Sequence, residues 1–226
     1  MAVDVAYFLG ARTKFIRDFY ASAITPFEER VRLIEAGEHP FEPPYSDEGE
    51  PAYLEEWIDA NASIELIGRT CVSILSESLK LYLKEWERQL GLACQKAEPS
   101  AFKQRGFLHG YRRCFELLTG ILWTSGPFCI DTIEQVIHAR NDTQHADEII
   151  NIGVQHRASL ANGRRSLFFA RADELDLFPD KAGLRLSFMN PMLHVSREKL
   201  FLAIGEIEAL TSWLEPQLFD VKYPAG

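Results

Sequence analysis

The chain has 226 residues, 46% of them hydrophobic and 12% aromatic, with 25% charged and a formal net charge of −9. That is enough apolar material for a sizeable core, and no long stretch is disordered by composition. The acidity excludes a surface that binds nucleic acid throughout, so any RNA or DNA contact has to be local.

The first ten residues lack a basic segment followed by a long apolar run, and no stretch approaches the ~18 apolar residues of a membrane span. A cytoplasmic protein with no membrane association is therefore expected. Cys71, Cys94, Cys114 and Cys129 include no Cys-x-x-Cys pair and no metal-type spacing. They are expected to be reduced thiols serving as small apolar core residues.

Residues 3–36 are expected to form the first helix, with Phe8, Phe15, Phe19, Ile24, Phe27, Val31 and Ile34 at helical spacing. Pro26 is expected to kink or restart it. The proline-rich, then acidic, segment 37–51 is a loop. Residues 54–92 carry the strongest helical signal, an apolar stripe through Ile64, Ile67, Cys71, Ile74, Leu75, Leu79, Tyr82, Trp86 and Leu90. Gly91 and Pro99 end it. The next helix covers 102–123, with Leu108, Tyr111, Phe115, Leu118 and Leu122 inward, and Gly106, Gly110 and Gly120 marking close helix contacts.

A short helix follows over 130–141, capped by Asp131, with Ile133, Val136 and Ile137 inward and His138 exposed. Beyond Gly153 the pattern changes. Residues 166–171 and 184–189 resemble short strands joined by turn residues at 178–183, which predicts a β-hairpin. A last helix begins near Ser196, turns Leu200, Ile204, Ile207, Leu210 and Leu214 inward, and stops at Pro216. The expected architecture is mainly α: a single domain over 1–226, with an N-terminal helix and proline-rich loop in 1–53. A helical core fills 54–218 and includes a small hairpin at about 164–190.

The run Val136-Ile-His-Ala-Arg-Asn-Asp-Thr-Gln-His145 is the candidate site. On an ideal helix Arg140 falls about 20° from the stripe begun by Ile133, a poor place for a merely solvated guanidinium. It has to meet a carboxylate, a subunit interface or a bound phosphate. His145 lies about 140° round a continuing helix, so the two converge only if the helix bends or ends near Asn141. His145 could instead cap a helix or satisfy a carboxylate such as Asp147.

Arg140-Asn141, three residues, then His145, at the end of an amphipathic helix, resembles the signature of the HEPN superfamily. The resemblance covers roughly residues 54–218. It implies an up-and-down helical bundle that forms a homodimer and cleaves RNA without metal or other cofactor. Arg140, Asn141 and His145 would be the catalytic residues, and the products a 2′,3′-cyclic phosphate and a 5′-hydroxyl. It also implies a role in stress or phage defence, with an antitoxin or other protein as partner.

A basic patch, Lys103, Arg105, His109, Arg112 and Arg113, precedes the motif helix. It could carry RNA backbone as a substrate-binding surface, with Phe107 and Tyr111 interleaved, or form salt bridges to neighbouring acid-rich helices. Other functional classes remain open: a non-catalytic dimerisation or interaction module, and a nucleotide-binding sensor that takes phosphate on Arg140.

Overall fold

The computed structural model describes residues 4–44, 51–144, 153–156, 167–177 and 191–224. The described residues are mainly helical. In order they form α1 (Val5–Ala36), α2 (Leu54–Gln89), α3 (Cys94–Ala97), α4 (Pro99–Thr119), α5 (Ile130–Gln144), α6 (Ala172–Leu177) and α7 (Arg197–Lys222), with a 3-10 turn at Trp123–Ser125. Among them no helix is long and apolar enough to cross a membrane.

The chain divides into two compact units: Met1–Ile16, Ile74–Ile137 and Phe201–Gly226 in the first, Arg17–Ser73 and His138–Leu200 in the second. In the first, α2 buries Leu75, Leu79, Tyr82, Leu83 and Trp86, while α7 buries Ile204, Ile207, Leu210, Leu214 and Leu218. Glu215 joins the two helices, accepting from the Tyr82 hydroxyl at 2.6 Å and from the Trp86 indole N–H at 2.9 Å. Pro216, expected as a stop, lies inside α7, which runs on to Lys222. Proline in a helix costs about 3 kcal/mol. Here Leu214 and Leu218 are fully buried on either side of it, and Gln217 donates to the Trp213 carbonyl at 2.8 Å. Packing outweighs the missing backbone bond.

Helix α1 likewise continues through Pro26. Its buried residues are Val5, Leu9, Ile16, Tyr20 and Ile24, whereas Phe8 and Phe15 are 56% and 60% exposed. Two stripes of helical period lie side by side there, and the one through Val5, Leu9, Ile16 and Tyr20 is buried.

In the second unit, Gly68 of α2 sits against Val195: a Cβ on Gly68 would come within 2.8 Å of the Val195 carbonyl oxygen. The Tyr20 hydroxyl donates to that same oxygen at 3.4 Å. The expected hairpin is corrected. Residues 167–171 form a turn and bend rather than a strand. Leu167, Phe169 and Ala170 are all buried, without the strict alternation of a half-buried strand. Among the described residues an isolated antiparallel bridge joins Gln155 and Met192. The Leu193 N–H donates to Val154 O at 2.7 Å and the His194 N–H to Phe169 O at 2.8 Å. The other expected arm, 184–189, lies outside the described residues.

The reading of four reduced cysteines is also corrected: Cys94 and Cys114 form a disulfide across 20 positions of sequence. Both are fully buried, so the residue type fitted the core while the pairing was hidden. Cys71 is a buried thiol and Cys129 an exposed one.

Candidate functional site

Helix α5 starts at Ile130, where the Cys129 N–H donates to the Glu206 carboxylate at 2.6 Å. Ile133, Val136 and Ile137 are buried, as their spacing predicts, together with Ala139. The helix does not end at Asn141 but continues to Gln144. Asn141 is therefore an interior helix residue. His138 is half-buried rather than exposed.

Arg140 is half-buried, and its Nη1 donates to the Asn141 Oδ1 at 3.1 Å. Among the described residues no carboxylate pairs with Arg140. The guanidinium is thus steered by a neutral amide that leaves its charge intact. His145, the expected third member, lies outside the described residues.

Asp142, next in sequence, is buried, and its Oδ2 stands 3.8 Å from Nδ1 of His156. His156 Nε2 is 2.9 Å from the Phe169 carbonyl oxygen, which can only accept, so Nε2 carries a proton. Burial holds the His156 pKa below its ordinary value, against the opposing pull of the Phe169 carbonyl, Asp142 and Glu174. No family model matches the chain, and no curated protein and no solved structure matches it. The site therefore stands on its own residues.

A second carboxylate–imidazole pair lies in the same unit. His194 Nδ1 is 2.5 Å from Glu65 Oε1, and Arg171 Nη2 reaches the same oxygen at 3.4 Å. Burial pushes the Glu65 carboxyl up. The His194 hydrogen bond and the charges of His194, Arg171 and Arg69 outweigh it and hold the group below its usual range. Sequence reasoning missed His156, Glu65 and His194. The available signal was local alternation: Val154 and His156 are buried around Gln155, and Leu193 and Val195 are buried around His194.

The basic patch lies in the first unit and is rearranged from its expected form. Helix α4 is broken at Gly106, whose φ of 81° and ψ of −178° are not helical. Arg112 Nε pairs with Glu116 at 2.9 Å and Arg113 Nη1 with the same carboxylate at 3.3 Å. These salt bridges stay within α4 rather than crossing to neighbouring helices. Tyr111 is buried and donates to Glu87 at 2.9 Å, so it offers no open ring for base stacking. Arg105, His109 and Arg113 instead come together around a hollow of about 430 Å³, with Glu98, Ser100 and Gln104. Lys103 is exposed and does not line it. Among the described residues no three His, Cys, Asp or Glu side chains gather in a metal-binding arrangement.

Proposed function

We propose that the chain is a HEPN-type, metal-independent endoribonuclease that works as a homodimer. The observation that carries this reading is the Arg140–Asn141 hydrogen bond on α5. An arginine that only stapled the structure would be matched to a carboxylate. Among the described residues Arg140 is partly desolvated and meets a neutral amide rather than a carboxylate, which favours an anion as its complement.

In this reading Arg140 stabilises the charge that develops on phosphorus, and Asn141 sets the plane of its fork. His145 handles protons. A base takes the proton of the ribose 2′-hydroxyl, the freed oxygen attacks phosphorus, and the 5′-oxygen leaves with a proton from an acid. Each chain supplies one motif histidine, so a two-fold dimer would supply base and acid from two copies of His145.

The test is purified protein with total RNA in EDTA, beside Arg140→Ala and His145→Ala. Cleavage by the wild type alone, leaving cyclic phosphate ends, is the expected result. Equal behaviour of all three proteins overturns the reading.

A second reading, a non-catalytic interaction module, is favoured by the end of α4. Leu117, Leu118 and Leu122 are 59%, 45% and 60% exposed. Exposed leucines at and just beyond the end of the helix suit contact with another protein, an antitoxin-like partner or a second copy. Sizing of a Leu118→Glu variant distinguishes it: loss of self-association or partner binding supports this reading, and unchanged assembly removes it.

A further inference from the structure

We propose that the hollow at the break in α4 is a binding site for a phosphate monoester of mononucleotide size. The inference is independent of RNA cleavage at Arg140. A straight helix is convex and forms no hollow by itself. The break at Gly106 separates Pro99–Arg105 from the remainder of α4, and the hollow draws residues from both sides of it: Ser100, Gln104 and Arg105 before, His109 and Arg113 after.

The form of the break is fixed in three ways. The Phe102 ring occupies the space a side chain at position 110 would need, since a Cβ on Gly110 would come within 2.4 Å of it, and it meets Tyr111 edge-on at 5.1 Å. The Cys94–Cys114 disulfide closes the chain around the whole region, and the lining residues all fall inside that loop. Glu87 then holds both ends, accepting the Cys94 N–H at 2.7 Å and the Tyr111 hydroxyl at 2.9 Å. These contacts brace the backbone around the hollow, which lowers the cost of ordering it around a ligand.

The chemistry of the lining selects the ligand. Two guanidiniums and an imidazole face one space, and planar guanidinium forks match phosphate oxygens. Among the described residues neither Arg105 nor His109 makes a side-chain hydrogen bond or ion pair, and Arg113 is only partly engaged by Glu116. Burial, and then Arg105, Arg112 and Arg113 against the opposing Glu134, keep the His109 pKa below its ordinary value. Glu98, in the same hollow, repels the next phosphate of a running strand and accepts hydrogen bonds from hydroxyl or amino groups. A single phosphate attached to a donor-bearing body satisfies both ends.

The experiment is calorimetric titration with AMP, and with adenosine as the uncharged probe. Wild type should bind AMP and not adenosine. Arg105→Gln and Arg113→Gln should each weaken AMP by about tenfold or more, while Arg88→Gln, which alters a surface pair with Glu85 away from the hollow, should leave it unchanged. Gly110→Ala, which displaces Phe102 without touching the ligand, should also weaken binding. The arginine variants alter exposed side chains and keep the test meaningful if Gly110→Ala does not fold. No heat with AMP at millimolar concentration, adenosine binding as tightly as AMP, or Arg105→Gln and Arg113→Gln binding like wild type would each overturn the proposal.

Discussion

Asp142 and His156 face one another at 3.8 Å with both side chains about 1% exposed, one at the end of α5 and the other in the segment that pairs with Pro191–Leu193. Because Nε2 is committed to the Phe169 carbonyl, any charge on the ring resides in a proton gained at Nδ1, towards the carboxylate. Burial is the larger influence, and the imidazole is held below its ordinary pKa.

This has a consequence for stability. The unfolded chain takes up the histidine proton near pH 6.5, whereas the folded chain does so at lower pH. The neutral imidazole's contribution is therefore present above about pH 6.5 and is lost as pH falls towards the folded value. The melting temperature of the wild type should drop more steeply between pH 7.5 and 5 than that of His156→Gln, whose side chain does not titrate. Parallel curves for the two proteins would show that His156 is not the group responsible.

Gly68 presents a contest between helix propensity and space. In the middle of α2, alanine would ordinarily be favoured by up to about 1 kcal/mol. The added Cβ, however, would lie 2.8 Å from backbone oxygen and 2.9 Å from the Cβ of Val195. Backbone cannot move aside as a flexible side chain can, so Gly68→Ala should destabilise by about 1–3 kcal/mol. A rise in denaturation midpoint for this variant would contradict the close approach.

These two sites show what the sequence made legible. The α2 stripe was readable because Leu75, Leu79, Tyr82 and Trp86 are the large apolar residues of one face and have no rival stripe. In α1, Phe8, Phe15 and Phe19 had the same period as Val5, Leu9, Ile16 and Tyr20, and period alone does not fix which stripe faces inward. Pro216 suggested a stop because proline lacks a backbone N–H, but the helix runs through it to Lys222. Glu215, Tyr82 and Trp86 overrode it through contacts more than a hundred residues apart in sequence. Arg140 and Asn141 were placed on their helix correctly, but the buried partner of Asp142 comes from a segment whose one signal is the brief alternation of Val154, Gln155 and His156.

Glu215 should prove expensive to remove for the same reason. Tyr82 is buried, and its hydroxyl is pushed well above its usual pKa, first by burial and then by Glu215. Glu215→Ala leaves that hydroxyl and the Trp86 N–H without this acceptor. A loss of about 1–3 kcal/mol is expected for each bond left unmade. Denaturant unfolding monitored by tryptophan fluorescence measures it, and a change within about 0.5 kcal/mol would remove Glu215 from the core's polar framework.

The Cys94–Cys114 bridge closes a loop across 20 positions of sequence. Restricting the unfolded chain over such a loop is worth roughly 3 kcal/mol. Cys94→Ser with Cys114→Ser, and wild type treated with a reducing phosphine, should both melt several degrees lower than the oxidised protein. Mass spectrometry of alkylated protein provides the accompanying check: only Cys71 and Cys129 should be available before reduction. Alkylation of all four after unfolding without reductant would show that the bridge is absent.

Arg140→Lys separates charge from shape at the proposed RNA site. Lysine retains the positive charge, so the salt dependence of RNA binding should be little changed. It lacks the planar fork and cannot reproduce both the bond to Asn141 and a two-pronged contact to phosphate. Cleavage should fall by about 10²–10³-fold, the range seen when a transition-state donor is lost. Stability should hardly move, because among the described residues the partner of Arg140 is a neutral amide on the adjacent residue rather than a buried carboxylate. Single-turnover cleavage measured beside thermal melting tests both halves. A variant that melts early and cleaves slowly would assign Arg140 to the framework. One that melts normally and cleaves as fast as wild type would remove it from the chemistry.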